Sequence, residues 1–238
     1  MGLMPDELLT VWERAGAAPV LSRPTALLAA AGTADAAGLP LGARDAALLR
    51  WYAAMFGDRL EALATCPSCA TIVELSVSCT QLLSDGGGVP VRPAEIGGYT
   101  VDWRLPTASD LVAIGASRDA DEAAGMLLTR CVRAADRGGS PVPAVNLPVP
   151  VREAIGAAMA EADPLAEIVL AIDCPQCACG WSGRIDPAVF VWRHLQIAAL
   201  RLLREVHTLA SAYGWPESQI LALSPARRAA YLGLVRGG

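Results

Sequence analysis

Lysine is absent from this sequence of 238 residues, so arginine supplies all 19 of its basic side chains. Because 24 residues are acidic, the formal net charge is −5. No basic tract interrupts this acidic composition. Non-specific binding to nucleic acid depends on many cationic contacts with phosphates, which makes this chain a poor candidate for that role.

The sequence also lacks a long uninterrupted apolar run, although 53% of its residues are hydrophobic. A membrane-spanning helix needs roughly 18 or more apolar residues in succession. The longest apolar-looking region, residues 187–213, is interrupted by several arginine, histidine and glutamate side chains. The beginning of the chain shows no basic segment followed by an apolar one, as a secretory signal would. We therefore expect a cytoplasmic protein.

Motifs that carry catalysis are missing as well. The sequence contains no G-x-S-x-G nucleophile elbow, no P-loop, no dinucleotide fingerprint and no H-E-x-x-H. Its two histidines, His194 and His207, lie thirteen residues apart on one predicted helix. They would be about 20 Å apart along the helix axis, too far to share a metal ion. We predict that the protein is not an enzyme.

Seven cysteines are present, and four of them form two C-P-x-C motifs, Cys66 with Cys69 and Cys174 with Cys177. Disulfides are rare in the cytoplasm, which favours metal binding for paired cysteines. Four thiolates on two tight turns are typical of a tetrahedral structural zinc site. Such a site leaves no open coordination position for catalysis, so the prediction is a structural Zn²⁺.

Cys179 follows the second motif closely and is an alternative to Cys177 as the fourth ligand. The remaining two cysteines, Cys79 and Cys131, do not belong to either motif. We predict that they are small buried side chains without a role in metal binding.

The two motifs belong to a repeat. Twelve residues separate Cys66 from Ser78, and twelve separate Cys174 from Asp186. Ser78 and Asp186 are both residue types that cap helix N-termini, and each precedes a predicted helix. A zinc ribbon is formed from two matched half-sites that each give two thiolates.

Periodicity predicts a mixed α+β fold that is mostly helical. Alternation of apolar and polar residues predicts strands, and apolar residues spaced three and four positions apart predict helices. The strands are 71–78, 99–105, 167–173 and 181–185. The main helices are 5–15, 25–31, 43–56, 107–114, 121–135, 151–162 and 187–213, with two short ones after Pro216 and Ser224 and a linker or long loop at 137–150.

These elements predict one compact unit with three regions. Residues 1–60 form an N-terminal helical region and residues 186–238 a C-terminal one. Residues 61–185 form the zinc-ribbon region, which contains a helical insert at about 107–162. The ribbon would join the two helical regions.

The C-terminal region also carries a candidate partner-binding surface, made of Tyr213, Trp215, Arg227, Arg228 and Tyr231. Aromatic anchors combined with arginines are typical of protein–protein interfaces. The same side chains are equally compatible with packing against the rest of the chain, and the sequence leaves both alternatives open.

Several stretches, in order along nearly the whole chain, carry a family resemblance. They are LTVWE at 9–13, LPLGARD at 39–45, LEALATCPSC at 60–69, WRLPT at 103–107 with Asp110 and Leu111, REVH at 204–207, YGW at 213–215, SPARR at 224–228, and YL at 231–232. In this ordered set the chain resembles the T4-family baseplate hub assembly chaperones of contractile phage tails and contractile injection systems.

The resemblance implies a non-enzymatic role in building the baseplate or central hub of a contractile tail, with a hub or spike protein as the partner. Many such sequences read C-P-x-C-G and then an aromatic residue at the second motif, whereas here Ala178 and Cys179 precede Gly180 and Trp181. We predict an assembly factor or structural component that stays in the cytoplasm or in the assembled particle. Its self-association is left open. The alternative is a zinc-ribbon regulator that binds nucleic acid.

Overall fold

The computed structural model describes residues 3–86, 88–117 and 119–237, in which helices alternate with short antiparallel sheets. The predicted α+β class with predominant helix is confirmed. In chain order the elements are α1 (Pro5–Ala17), α2 (Arg23–Ala30), α3 (Leu41–Phe56), β1 (Arg59–Thr65), β2 (Ile72–Ser78), α4 (Cys79–Asp85), β3 (Ala94–Ile96), β4 (Tyr99–Trp103), α5 (Ala108–Ile114), α6 (Ala120–Cys131), β5 (Val132–Arg137), β6 (Ser140–Pro141), α7 (Val149–Ala162), β7 (Ile168–Asp173), β8 (Gly180–Ile185), α8 (Pro187–Tyr213), α9 (Glu217–Leu221) and α10 (Pro225–Gly237).

The largest core lies between α1, α2, α3 and the first half of α8. Its most deeply buried side chains include Leu27, Leu48, Leu49, Val191 and Leu195. On α3 the apolar residues recur every three or four positions, so that one face of the helix turns towards α8. Burial of these side chains stabilises the helical framework on which the rest of the chain rests.

Two hairpins pack on this core. Strands β1 and β2 pair antiparallel, as do β7 and β8, and each pair forms a separate two-stranded sheet. Alternation along the strands turns Leu60, Val77, Ile168 and Ile185 inward to the helical core. The hairpin ends far from this core carry the C-P-x-C turns.

A second core forms between the four-stranded sheet β3-β4-β5-β6 and helices α6 and α7. Here the predicted helix 121–135 is wrong in its last part, because α6 ends at Cys131 and Val132 begins β5. Val132 pairs with Trp103 and Ala135 pairs with Val101 across the sheet. Those cross-strand partners lie some thirty residues away, and they decide the local conformation. The predicted insert at 107–162 therefore contains strands as well as helices.

The long helix α8 begins and ends as predicted. The Asp186 carboxylate accepts a hydrogen bond from the Ala188 backbone N–H (2.9 Å), and Gly214 ends the helix in a left-handed conformation (φ 69°). Its 27 residues extend for about 40 Å. The first half packs in the main core and the last turns contact α9 and α10. Within the described ranges no helix is both long and apolar enough to cross a membrane.

Asp110 is the polar link between the two cores. Asp110 is 1% exposed. Its carboxylate accepts hydrogen bonds from the guanidinium of Arg104, from the guanidinium of Arg130 and from the Thr107 backbone N–H. The segment before α5 in turn bonds to the N-terminal helical region, where the Leu41 N–H donates to the Pro106 carbonyl (3.0 Å). Asp110 therefore holds α5, α6 and the end of β4 together, and the Pro106 carbonyl connects this group to α3.

We predict that Asp110→Asn destabilises the protein by about 3 kcal/mol, because a buried ion pair that loses one partner leaves its arginines uncompensated. Urea unfolding monitored by circular dichroism measures this change. The matched control is Asp102→Asn, which removes an exposed contact with Arg133 (3.8 Å) and should cost less than about 1 kcal/mol. Equal losses in the two variants would contradict the role of Asp110.

The same site predicts an acid-sensitive stability. Hydrogen bonds from Arg104, and then from Thr107 and Arg130, hold the pKa of Asp110 well below its usual range, against the effect of burial. The unfolded chain takes up this proton near pH 3.9, whereas the folded chain takes it up only at lower pH. Stability from Asp110 is therefore present above about pH 4 and lost as the pH falls through the folded pKa. The unfolding free energy of the wild type should fall more between pH 5 and pH 3 than that of Asp110→Asn, measured by urea unfolding at each pH.

Candidate metal centre

Four cysteine thiols meet at the tips of the two hairpins. The Sγ atoms of Cys66, Cys69, Cys174 and Cys177 all lie within 4.8 Å of one another. Two pairs are closer, with Cys66 at 3.7 Å from Cys177 and Cys69 at 3.6 Å from Cys174. A disulfide bond needs about 2.05 Å between sulfurs, so all four are free thiols.

The local chain conformation aims the sulfurs together. In the first turn the Ala70 N–H donates to the Cys66 carbonyl (3.0 Å), and the Cys66 N–H donates to the Thr71 carbonyl (2.9 Å). The second turn repeats both bonds with Ala178, Cys174 and Cys179 (2.9 Å each). Both alanines adopt positive φ, 59° at Ala70 and 56° at Ala178. This conformation costs a residue with a side chain about 1 kcal/mol, and it turns the chain so that the residue after each alanine, Thr71 or Cys179, pairs with the first cysteine of its turn.

The two half-sites are related by an approximate twofold arrangement. The first cysteine of each turn contacts the second cysteine of the other turn, at 3.7 Å for Cys66 with Cys177 and 3.6 Å for Cys174 with Cys69. The repeat in the sequence is therefore also a repeat in space, with each hairpin giving one buried and one exposed thiol, since Cys66 and Cys174 are buried while Cys69 and Cys177 are exposed.

The separations fit a tetrahedral metal ion. Four metal–sulfur bonds of about 2.3 Å at tetrahedral angles place the sulfurs about 3.8 Å apart. The two closest pairs, at 3.6 and 3.7 Å, lie near that value. Soft thiolate ligands in this geometry suit Zn²⁺, and also iron. The arrangement is therefore compatible with a metal centre whose coordination is complete.

Apolar side chains cover the inner side of the cluster. Val73 and Ile172 are buried there, and Leu75, Leu170 and Trp181 pack beside them. This packing excludes water from the buried thiols, while the exposed turns leave a route by which an ion can enter.

The thiols of Cys69 and Cys177 differ in pKa. The hydroxyl and then the backbone N–H of Thr71 lower the pKa of Cys69 to about 6. The Cys179 N–H acts in the same direction on Cys177, but hydrogen bonding with Cys69, burial and the other thiols outweigh it and raise the pKa of Cys177 to about 12. Four sulfurs this close cannot all ionise without a compensating cation, because their charges repel. A divalent cation removes that conflict.

Cys179 lies outside the group of four. It occupies the position in the second turn that Thr71 occupies in the first, as alignment of CPSCAT with CPQCAC shows. The structure therefore brings Cys177 rather than Cys179 into the cluster. The signal that separates these two candidates was present in the sequence, in the alanine that follows each second cysteine.

The other cysteines and both histidines are elsewhere. Cys79 and Cys131 are fully buried, as predicted, in the first and the second core respectively. Burial raises the pKa of each thiol to about 11. His194 packs against Tyr52, and His207 is exposed on the far part of α8.

The C-terminal candidate residues are partly brought together. The rings of Tyr213, Trp215 and Tyr231 contact one another, with centroids 4.7 to 5.8 Å apart. Tyr213 remains 39% exposed. Arg227 is exposed, but Arg228 is buried and donates to Glu205 (2.9 Å) and to the Leu223 carbonyl (3.1 Å). The prediction that Arg228 contacts a partner is therefore replaced by an internal role, because this arginine holds α10 against α8.

Comparison of the chain with protein-family models, with curated proteins and with solved structures finds no match.

Proposed function

We propose that this protein is a zinc-braced assembly factor or structural component that acts by binding another protein, and that its partner is a hub or spike protein of the baseplate of a contractile tail or injection system. The observation that carries the first part is the cluster of four thiols with tetrahedral separations. The partner rests on the ordered resemblance along the chain.

The zinc has a structural role in this proposal. Four protein thiolates fill the coordination shell, so no position remains for a water molecule or a substrate. The ion joins two hairpins whose nearest cysteines are separated by 105 residues in sequence. It therefore fixes the relative position of the helices before the first hairpin and after the second.

Two observations support a protein partner. The segments at 39–45 and 103–111, which both belong to the resemblance, meet in the structure through the hydrogen bond from Leu41 to Pro106. Half-exposed aromatic rings at the end of α8 offer apolar contact area of the kind that interfaces use. A phosphate-binding face needs unpaired arginines, whereas Arg104, Arg130 and Arg228 are paired with carboxylates.

The purified protein should contain about one zinc ion per chain, measured by inductively coupled plasma mass spectrometry. A strong chelator should lower its thermal unfolding temperature, because the binding energy of a structural zinc is also folding energy. The proposal fails if the protein contains no stoichiometric zinc and unfolds identically with and without chelator.

A matched pair of variants locates the fourth ligand in the same assay. Cys177→Ser should lose zinc at chelator concentrations that the wild type withstands. Cys179→Thr copies the residue of the first turn and should keep its zinc. The reverse outcome would assign the fourth position to Cys179.

The tagged protein should capture baseplate hub or spike proteins from cells that assemble the particle. Tyr213→Ala should reduce this capture at least about fivefold, because an exposed aromatic anchor at an interface contributes more than about 1 kcal/mol. Quantitative mass spectrometry of the captured proteins measures the change.

The control is Leu63→Ala, which truncates a side chain that is 70% exposed on the first hairpin. Leu63→Ala should unfold at the wild-type temperature, and Tyr213→Ala should stay folded at the assay temperature although it loses its ring contacts with Trp215 and Tyr231. Absence of hub and spike proteins from the wild-type sample would refute the assigned partner, and equal capture by the two variants would remove Tyr213 from the interface.

A further inference from the structure

Charge is distributed unevenly along the chain. Residues 187–238 contain 6 arginines and 2 acidic residues, for a net charge of +4, so residues 1–186, with 13 arginines and 22 acidic residues, carry −9. Helix α8 contributes Arg193, Arg201 and Arg204 against a single acid, Glu205. Glu205 is already paired with the buried Arg228. The helix is therefore a locally basic element of an acidic protein.

The outward face of α8 combines these arginines with exposed apolar side chains. Val189 is 58% exposed, Ile197 56% and Leu200 38%. The three arginines are exposed as well. Isolated exposed aliphatic residues are ordinary, but three of them along one face of one helix form a patch that water does not favour.

A regular spacing relates the two sets. Each apolar residue is followed four positions later by an arginine, as Val189 is by Arg193, Ile197 by Arg201, and Leu200 by Arg204. At 100° per residue all six side chains fall within a sector of about 120°, and they extend over about 22 Å of helix. Each arginine is therefore offset by about 40° in the same sense from the apolar residue that precedes it. The apolar row (Val189, Ile197 and Leu200) and the arginine row (Arg193, Arg201 and Arg204) overlap on this face, with Ile197 beyond Arg193 and Arg204. Apolar contacts combined with charged pairs are the means by which helices select partner helices.

The rest of the protein leaves this face open. Among residues 3–86, 88–117 and 119–237, neither Arg193 nor Arg204 makes an ion pair or a side-chain hydrogen bond, and Arg201 has only a 3.9 Å contact with Glu205. The opposite face of α8 is buried against α1, α3 and α10. The arginine row thus has no counter-charge of its own.

We propose that the outward face of α8 from Val189 to Arg204 docks an acidic amphipathic helix of a partner protein. Leucine-like side chains of that helix would contact the apolar row, and its glutamate or aspartate side chains would pair with the arginine row. This inference rests on the proposed protein-binding function and specifies the chemistry of the partner.

Other occupants fit less well. In an antiparallel twofold pair of this chain the arginine rows would meet, and in a parallel pair neither row would find an acid, so self-association through this face is unfavourable. Phosphates of nucleic acid gain nothing from the apolar row. An anionic membrane would meet a protein whose net charge is −5.

The test uses a fluorescein-labelled synthetic helix that spans four turns, with leucine and glutamate in adjacent rows. Fluorescence anisotropy at physiological salt compares the wild type with R193E/R201E/R204E. The matched control, R50E/R59E/R92E, makes the same charge change at three exposed arginines on other elements. Circular dichroism melts check that both triple variants fold.

The peptide should bind the wild type and the control alike, and its affinity for the α8 variant should fall on the order of tenfold or more. Added salt should weaken binding, because the ion pairs lie at the protein surface. A peptide of the same composition with its glutamates on the opposite face should bind no better to the wild type than to the α8 variant.

Equal affinities of the two triple variants would overturn the inference. Tighter binding of the wild type to duplex DNA, or to phosphatidylserine vesicles, than to the acidic helix would also overturn it.

Capture from cells separates this inference from the proposed function. If the wild type captures hub or spike proteins and the α8 variant captures them equally, the docking face is refuted while the function stands. If no hub or spike protein is captured but the peptide binds the wild type more tightly than the α8 variant, the assigned partner is refuted while the docking face stands.

Discussion

The meeting of two hairpins at one cluster of thiols is the constraint on which the rest of the structure depends. Cys69 and Cys174 are 105 residues apart in sequence and 3.6 Å apart in space. Closing a loop of that length costs about 4 kcal/mol of chain entropy. A structural zinc, as proposed, supplies about 10 kcal/mol or more, so it can offset this cost and still favour the folded state. Hydrophobic contacts of Val73 and Ile172 beside the cluster then hold the two hairpins against each other.

Between the hairpins, the chain builds a second core that is connected to the first by polar contacts. Asp110 holds α5 to the end of β4 and to α6 through two arginines and a helix cap, and the bond from the Leu41 N–H to the Pro106 carbonyl connects this segment to α3. At the other side, the Gly42 N–H donates to the Asp163 carboxylate (2.9 Å), so a residue after α7 caps the start of α3. A Cβ at Gly42 would lie 1.9 Å from that carboxylate, which explains why glycine is required there. The thiol cluster and these contacts connect parts of the chain that are distant in sequence.

The sequence contains the candidate metal ligands but does not distinguish between two cysteines for the fourth position. The C-P-x-C spacing identified all four cysteines, whereas Cys177 and Cys179 remained alternatives because spacing alone does not show which way a side chain points. The structure decides this question, because the sulfur of Cys177 lies with those of Cys66, Cys69 and Cys174, whereas Cys179 follows the left-handed alanine in the position that Thr71 has in the first turn.

Local chemistry by itself determined much of the fold. Caps, prolines and apolar periodicity placed α8 between Asp186 and Gly214 and predicted three of the four strands beside the C-P-x-C turns, because these signals act between residues a few positions apart. Only the tertiary structure decided that Val132 starts a strand, that Arg228 is buried against Glu205, and that the arginine row of α8 faces outward. Each of these features depends on whether residues far away in sequence contact the segment, and local patterns do not contain that information.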